Sequence, residues 1–491
     1  MDNISNLKPQ NVWKHFYALT QIPRPSGQME KITAFVENFG KSLGLKTTRD
    51  AANNICIRKP ATPGYENRQT IILQSHLDMV PQANSDLKFD FAKDAIQAYI
   101  DGGWVKAKGT TLGADNGIGA AATMAVLEAT GLQHGPIEGL FTTDEETGMY
   151  GALAVRPGFI NGKIMLNLDS ELDGELYIGC AGGEDVSVSF EYKNEPVKFK
   201  KAVAVRVSLT GLKGGHSGVD IHLGRGNANK LIFRFLKDAM LNQNARLSCI
   251  QGGTLRNAIP REAFATLVVD GEANYQSLIA LVEYYHKVFK TEFDGVEDAI
   301  ELRAERLTSP IDQLRLIPLE LQKRLTHAIV GCRNGVVNRF AKIPGTVETS
   351  INMAIIQTNE QSVDIKFLAR SSSETKKRAI CGTVESTFIN AGAKQIAIGN
   401  GYPGWNPNPD STILQVMKKV FETQRGHAPK VEVMHAGLEC GIILSNVPGL
   451  DTVSFGPTIQ FPHSPDEKVE IASVQKFWDY LTAILKEAPG K

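Results

Sequence analysis

The chain has 491 residues, and its 53 Lys plus Arg balance 53 Asp plus Glu, with 42% apolar and 22% charged residues. This is the composition of a globular protein, and at about 150 residues per domain the length suggests two or three domains. A formal net charge of zero argues against a nucleic-acid partner, which needs a basic excess. No apolar run reaches the roughly 18 residues of a membrane span; the Ala-rich stretch at 117–130 is too short and contains Glu128.

Residues 1–10 hold no basic region followed by an apolar one, so the expected location is cytoplasmic. The six cysteines form no C-x-x-C pair. Neither a disulfide scaffold nor a cysteine zinc site is indicated, and any metal must use His and carboxylate ligands.

Strand and helix signals alternate over the first 180 or so residues. Three short apolar runs stand out. Residues 70–74 lead into Ser75-His76-Leu77-Asp78, 139–142 into Asp144-Glu145-Glu146-Thr147-Gly148, and 163–168 into Asp169-Ser170-Glu171. Nearly continuous apolar strands with helices between them predict a mostly parallel sheet covered on both faces. A helix is expected from after Asp115-Asn116-Gly117 to about Thr130.

Near residue 187 the pattern changes. Val203, Val205, Val207 and Leu209 alternate with Ala204, Arg206 and Ser208, as in a half-buried antiparallel strand. Ala228, Leu231, Ile232, Phe235, Leu236 and Ala239 fall on one helical face. Strand signals return at 263–270, followed by an amphipathic stretch at 275–289. A second strand, helix, strand set reads at 362–370, 374–390 and 394–399. The last helix places Val474, Phe477, Trp478, Leu481, Ile484 and Leu485 on one face. The fold expectation is an α/β protein: a mostly parallel mixed sheet covered by helices, in two parts (1–187 and 401–491), interrupted by an α+β lid domain (188–400). The insertion has room for two similar lobes, although no sequence repeat marks them.

The candidate chemistry sits just past the apolar strands, where open α/β sheets bind ligands. His76 and Asp78 are two apart, so a continuing strand would point both to one face, with the carboxylate able to hold the ring. Asp115 lies at a Gly-rich turn opening a helix. Glu145 and Glu146 are adjacent and diverge, so one can bind a cation while the other reaches a water. Asp169 ends the third strand, and His463 lies in the proline-pinned segment Phe461-Pro462-His463-Ser464-Pro465. Taken singly these are ordinary features: H-x-D recurs by chance, D-E-E-T-G reads as a solvated strand end, D-N-G as a turn or N-cap. Their order, each behind a strand, sets them apart.

Together S-H-L-D-M-V, G-A-D-N-G-I-G, T-D-E-E-T-G, L-N-L-D-S-E and F-P-H-S-P resemble the dinuclear zinc dipeptidase and carboxypeptidase family. Supporting segments span the chain: V-W-K-H-F, I-P-R-P-S-G, G-C-A-G-G, G-G-H-S-G-V-D-I-H, R-N-A-I-P-R-E-A, Y-P-G-W and H-A-G-L-E-C-G. The resemblance is nearest to its bacterial dipeptidases for aminoacyl-histidine substrates. It implies two Zn2+ per subunit, with Co2+ or Mn2+ chemically suited as well. His76 and Asp169 would hold one metal, Glu146 and His463 the other, and Asp115 would bridge them. Glu145 would be the general base and Asp78 a supporting catalytic carboxylate. In the insertion, His216 would stabilise an oxyanion, with His222 as the competing histidine. Asn257 and Arg370 would hold a substrate carboxylate, and Gly437 would admit the substrate to the backbone. A surface hydrogen bond, salt bridge or plain turn accounts for these last three residues equally well.

The implied activity is hydrolysis of dipeptides, including Xaa-His substrates such as beta-alanyl-histidine, by metal-activated water. A related deacylase or carboxypeptidase acting on N-acyl amino acids is the alternative, and a non-catalytic binding protein would have been expected to lose some of these residues. The expected partners are a dipeptide substrate and a second copy of the chain in a homodimer, with no nucleic acid and no membrane. No G-x-S-x-G occurs, so no acyl-enzyme is expected.

Overall fold

The computed structural model of the chain describes residues 4–308 and 310–491. The chain forms two compact units. One comprises Met1–Cys180, Trp405–Val433 and Leu438–Lys491, the other Ala181–Gly404 and Met434–Gly437. The second unit begins before residue 188 because the strand Gly182–Glu191 pairs along its whole length with Ser362–Ser371.

The first unit is built on an eight-stranded sheet. Its order is Lys46–Arg49, Ile55–Lys59, Ile137–Thr142, Ile71–His76, Ile164–Asn167, Asp451–Ser454, Glu175–Cys180, Lys430–Met434. The four strands from Ile137–Thr142 to Asp451–Ser454 run parallel, and their neighbours Ile55–Lys59 and Glu175–Cys180 run antiparallel to them. Ile71–His76, Ile137–Thr142 and Ile164–Asn167 are buried at every position. That burial on both faces is why they read as apolar runs without alternation. In register, His76 pairs with Thr142 and Gln74 with Asn167. The three strands therefore end side by side, and the residues following them emerge from one edge.

The helix Ala114–Glu128 is almost wholly buried, as its Ala and Gly content requires. A Cβ on Gly119 would lie 2.0 Å from Asn116 Oδ1 and 2.6 Å from the Leu168 carbonyl, so the helix passes against the loop carrying Asp169 with no room for a side chain. It ends at Glu128, two residues short of the sequence expectation. In the last helix, Ile471–Glu487, Tyr480 rather than Trp478 is fully buried, and its hydroxyl donates to the Met417 carbonyl at 2.8 Å.

The second unit holds one nine-stranded sheet. Its path is Glu301–Arg306, Ala202–Thr210, Ala263–Asp270, Arg246–Gly252, Val347–Thr358, Ser362–Ser371, Gly182–Glu191, Gln395–Tyr402, with Gly335–Arg339 beside Val347–Thr358. The two strand sets seen in the sequence join edge to edge through Gln251–Gln357 and Gly252–Ile356 pairing. One apolar core, including Val205, Phe235, Leu325, Phe367 and Phe388, packs the helices Ala228–Gln243, Gly271–Glu292, Leu319–Gly331 and Glu374–Asn390 on this sheet. Among the described residues, no helix is long and apolar enough to cross a membrane.

Candidate metal centre

The parallel strands deliver His76, the Asp144–Glu146 turn and Asp169 to one sheet edge, and the turn before the Ala114–Glu128 helix adds Asp115. His76 Nε2 lies 3.1 Å from Asp115 Oδ1 and 3.3 Å from Asp169 Oδ1. His463 Nε2 lies 3.2 Å from Asp115 Oδ2 and 3.0 Å from Glu146 Oε2. Each histidine thus shares one oxygen of Asp115 with a second carboxylate. Ligand atoms of His76, Asp115 and Glu146 all lie within 4.8 Å of one another.

Asp78 organises this group without entering either set. Its Oδ1 lies 3.4 Å from His76 Nδ1 and accepts the Glu145 N–H at 3.0 Å, while its Oδ2 accepts the Glu146 N–H at 3.1 Å and the Ser26 hydroxyl at 2.8 Å. One carboxylate therefore sets both the imidazole and the turn that splays Glu145 from Glu146. Asp144, at φ 52°, begins that turn.

The arrangement fits a pair of cations. Five carboxylates (Asp78, Asp115, Glu145, Glu146 and Asp169) crowd around two histidines. Glu146 Oε1 is buried without a hydrogen-bond donor, a costly state for an anion in a protein interior, and the buried Asp169 Oδ1 has His76 Nε2 at 3.3 Å. The ionisation behaviour reports the same shortage of positive charge. Burial pushes the Asp169 carboxyl up to about 6 despite His76, and burial with the charges of Asp169, Glu439 and Glu146 raises Glu145 well above the carboxylate range. Hydrogen bonds to Asp115 and Glu146 lift His463 to about 11. Burial opposes a charge on His76, but Asp169, Asp115 and Asp78 outweigh it and raise its pKa. Asp115 is pulled the other way: burial works upward, yet the two histidines hold it below the carboxylate range. Mixed imidazole and carboxylate donors suit zinc and its first-row neighbours.

The floor beneath these residues is polar and linked from strand to strand. Glu439 Oε2 accepts from Gln74 Nε2 at 2.6 Å and from the Thr142 hydroxyl at 2.7 Å. Gln74 Oε1 accepts from Asn167 Nδ2, Asn167 Oδ1 from Ser454 Oγ, and Ser454 Oγ bonds Ser170 Oγ. This thread crosses all four parallel strands. Sequence reasoning passed over Glu439, and also over Arg24, Glu171 and Glu467. Burial together with Asp115 and Asp169 pushes the Glu171 carboxyl up to about 8. Arg24 is buried and donates to the carbonyls of Leu77, Asp78 and Gly113. The signals for Arg24 and Glu439 lay inside the quoted segments I-P-R-P-S-G and H-A-G-L-E-C-G.

The four remaining candidates belong to the second unit. His216 Nδ1 accepts from the N–H groups of Gly218 and Val219 at 3.2 and 3.0 Å, so its proton resides on Nε2. Burial and the Arg370 charge push this histidine down to about 4. Arg370 is buried, and its Nη1 donates to the Tyr402 hydroxyl at 2.8 Å. Among the described residues it has no carboxylate partner. Its Nη2 lies 3.4 Å from His216 Nε2. Asn257 is exposed and joins this group only through its carbonyl, which accepts the Ser217 N–H at 2.8 Å. Gly437 is half-buried in the Met434–Gly437 segment, and His222 is exposed. A further histidine that the sequence did not single out, His435, is buried with its Nε2 at 2.7 Å from Ser350 Oγ. Burial, then Arg370, push it down to about 3.

Comparison with known proteins returned consistent matches. The model of peptidase family M20/M25/M40 matches residues 72–487. The chain is 42% identical over 493 residues to the cytosol non-specific dipeptidase of Escherichia coli K12, covering all of both chains. Among solved structures it resembles the aminoacylhistidine dipeptidase of Vibrio alginolyticus, at 45% identity and a TM-score of 0.93 over 100% of this chain and 99% of that one. The aminopeptidase PepT of Bacillus cereus, at 18% identity and a TM-score of 0.57 over 98% and 99% of the two chains, shares the fold.

Proposed function

The chain belongs to peptidase family M20/M25/M40, and from that premise we propose that it is a metal-dependent dipeptidase, hydrolysing dipeptides that include Xaa-His substrates such as beta-alanyl-histidine. The observation that carries this reading is the sharing of Asp115 between two histidine–carboxylate sets, each N···O distance being 3.0–3.3 Å. The full-length relatives named as dipeptidases support the substrate class.

In this reading His76 and Asp169 would hold one Zn2+, Glu146 and His463 would hold a second, and Asp115 would be shared between them, with Co2+ or Mn2+ able to replace zinc. Such a pair would supply Lewis acidity toward the peptide carbonyl and would lower the pKa of the attacking water. Glu145, half-buried beside both sets and free of a ligand role, takes the proton from the attacking water and returns it to the leaving amine. Asp78 keeps His76 and the Glu145 turn in place. In the second unit, the Nε2–H of His216 donates to the carbonyl oxygen as it gains charge. The buried Arg370 guanidinium pairs with the C-terminal carboxylate, whose two oxygens match its fork. Asn257 and Gly437 complete the substrate contacts. The chain acts in the cytosol, like its named relative, and as a homodimer, which light scattering after size exclusion tests.

The deciding experiment is hydrolysis of a peptide panel by chelator-stripped protein with and without zinc, cobalt or manganese. The panel holds beta-alanyl-histidine, other Xaa-His pairs, dipeptides lacking His, a tripeptide and an N-acyl amino acid. Metal-dependent cleavage of the dipeptides alone is the expected result. Cleavage of only the N-acyl amino acid would replace the dipeptidase reading with a deacylase one.

A further inference from the structure

The segment that carries His463 returns to the Asp115 turn through one side chain. Glu467 is 2% exposed. Its Oε2 accepts the N–H groups of Leu112 and Gly113 at 2.7 and 2.9 Å, and its Oε1 those of Ala114 and Asp115 at 2.7 and 3.2 Å. Four consecutive N–H groups thus converge on one carboxylate. Gly113 adopts φ 70°, a left-handed conformation that glycine takes without a Cβ penalty and that lets the N–H groups on either side of it turn toward the same acceptor. On the other side of the turn, Arg24 holds the carbonyls of Gly113, Leu77 and Asp78. Glu467 is itself held by its own N–H, which donates to the Ser464 carbonyl at 3.0 Å, and lies four residues from His463.

We propose that Glu467 is a positioning residue that locks the His463 loop to the Asp115 turn, and so sets the geometry of the second cation set. The proposal rests on the ligand reading above. Beyond their own 3.2 Å Nε2–Oδ2 contact, Asp115 and His463 are held by separate elements: one opens a helix at residue 115, and the other sits on a loop 348 residues later, at φ 60°. The set formed by His463, Glu146 and Asp115 Oδ2 takes two of its three members from the elements that Glu467 joins, whereas the His76, Asp169 and Asp115 Oδ1 set takes one. Loosening Glu467 therefore weakens the former set more. Groups that orient metal ligands are commonly worth about 10–100-fold in metal affinity.

The test is a cobalt(II) titration of stripped full-length protein, followed by calorimetry and by the visible absorption of the bound ion, for wild type and Glu467→Gln. The amide keeps one acceptor but turns an NH2 group on two of the four N–H donors. Wild type is expected to take up two ions. The variant should take up the first with an affinity near wild type, lose at least about tenfold on the second, and show an altered spectrum for it. A generally structural role would instead lower the unfolding temperature of the metal-free protein and weaken both ions alike, which would overturn the proposal. Two wild-type affinities in a folded variant would overturn it as well. Should wild type itself bind no more than one ion, the two-set reading fails, separately from any effect of Glu467. If Glu467→Gln does not fold, Glu467→Asp replaces it: its shorter carboxylate keeps the charge but cannot span both N–H pairs. Selective loss of the second ion then supports the proposal, and unchanged binding of both overturns it.

Discussion

Replacing Glu145 by Gln separates proton transfer from everything else the turn does. The amide has nearly the same volume, and the main-chain N–H that binds Asp78 at 3.0 Å is untouched. The half-buried carboxylate removed is repelled by Asp169, Glu439 and Glu146, so its loss relieves like-charge contact and should leave thermal stability unchanged or slightly higher. Cation binding should persist, because both Nε2–carboxylate sets omit Glu145. What disappears is the group that moves the proton. General-base catalysis contributes about 10²–10⁴ in rate, which at about 1.4 kcal/mol per decade is about 3–5 kcal/mol on the barrier. The expected result is a kcat at least about a hundredfold lower at near-normal zinc content, measured by dipeptide hydrolysis alongside plasma mass spectrometry. Glu146→Gln is the contrast: it removes the carboxylate 3.0 Å from His463 Nε2 and should lose metal as well as activity. Wild-type turnover in Glu145→Gln, or zinc loss as large as that of Glu146→Gln, would refute the division of labour within this pair.

Other expectations follow from the same geometry. Arg370→Met should lower kcat/KM about 10–100-fold, matching the ~1.5–3 kcal/mol of a charge-assisted hydrogen bond, with the loss mainly in KM. A dipeptide amide should lose as much with wild type and little further with the variant, and equal losses in both proteins would separate Arg370 from the substrate carboxylate. His435 is kept neutral in the fold, with its pKa pushed down to about 3, whereas the unfolded chain protonates it near 6.5. The unfolded state therefore binds the extra proton as pH falls below 6.5, and stability present above that pH is lost toward 3. From pH 6.5 to 4.5 the loss from this group approaches about 2 kcal/mol; urea unfolding of His435→Asn should show a shallower pH slope than wild type. Chelation should lower the melting temperature by restoring repulsion among Asp115, Glu146 and Asp169, and zinc at about 100 times its dissociation constant should return about 2.7 kcal/mol. Gly119→Ala places a Cβ 2.6 Å from the Leu168 carbonyl and should cost about 1–3 kcal/mol, read by chemical denaturation.

The clustering of the candidate metal ligands was legible because most of them follow apolar strands that share one direction. His76, Glu145, Glu146 and Asp169 each stand just past a run that only a doubly covered strand explains. Asp115 and His463 were legible through local Gly and Pro chemistry. What stayed hidden acts through the main chain or across long separations. Glu467 is an unremarkable acidic residue until four N–H groups are seen around it, and Glu439 meets Gln74 across 365 residues. The continuity of the nine-stranded sheet of the second unit was hidden for a related reason: its two halves meet in the two residue pairs at Gln251 and Gly252, too short a contact to leave a pattern. Trp478 is only half-buried, and Tyr480, which the periodicity did not pick out, is buried with its hydroxyl on the Met417 carbonyl.

The interleaving of the first unit has a consequence for how the protein is made. Asp451–Ser454 is an interior strand, placed between Ile164–Asn167 and Glu175–Cys180. Until it emerges from the ribosome, Ile164–Asn167 keeps an open edge that the finished fold buries completely, and an apolar open edge invites pairing with other chains. The whole of Ala181–Gly404 must be synthesised in that interval. By then His76, Asp115 and Asp169 already exist, whereas His463 and Glu467 arrive only with the last thirty or so residues. Nascent chains should therefore gain a first cation well before a second, and chains truncated before Asp451 should aggregate rather than persist as a smaller active enzyme.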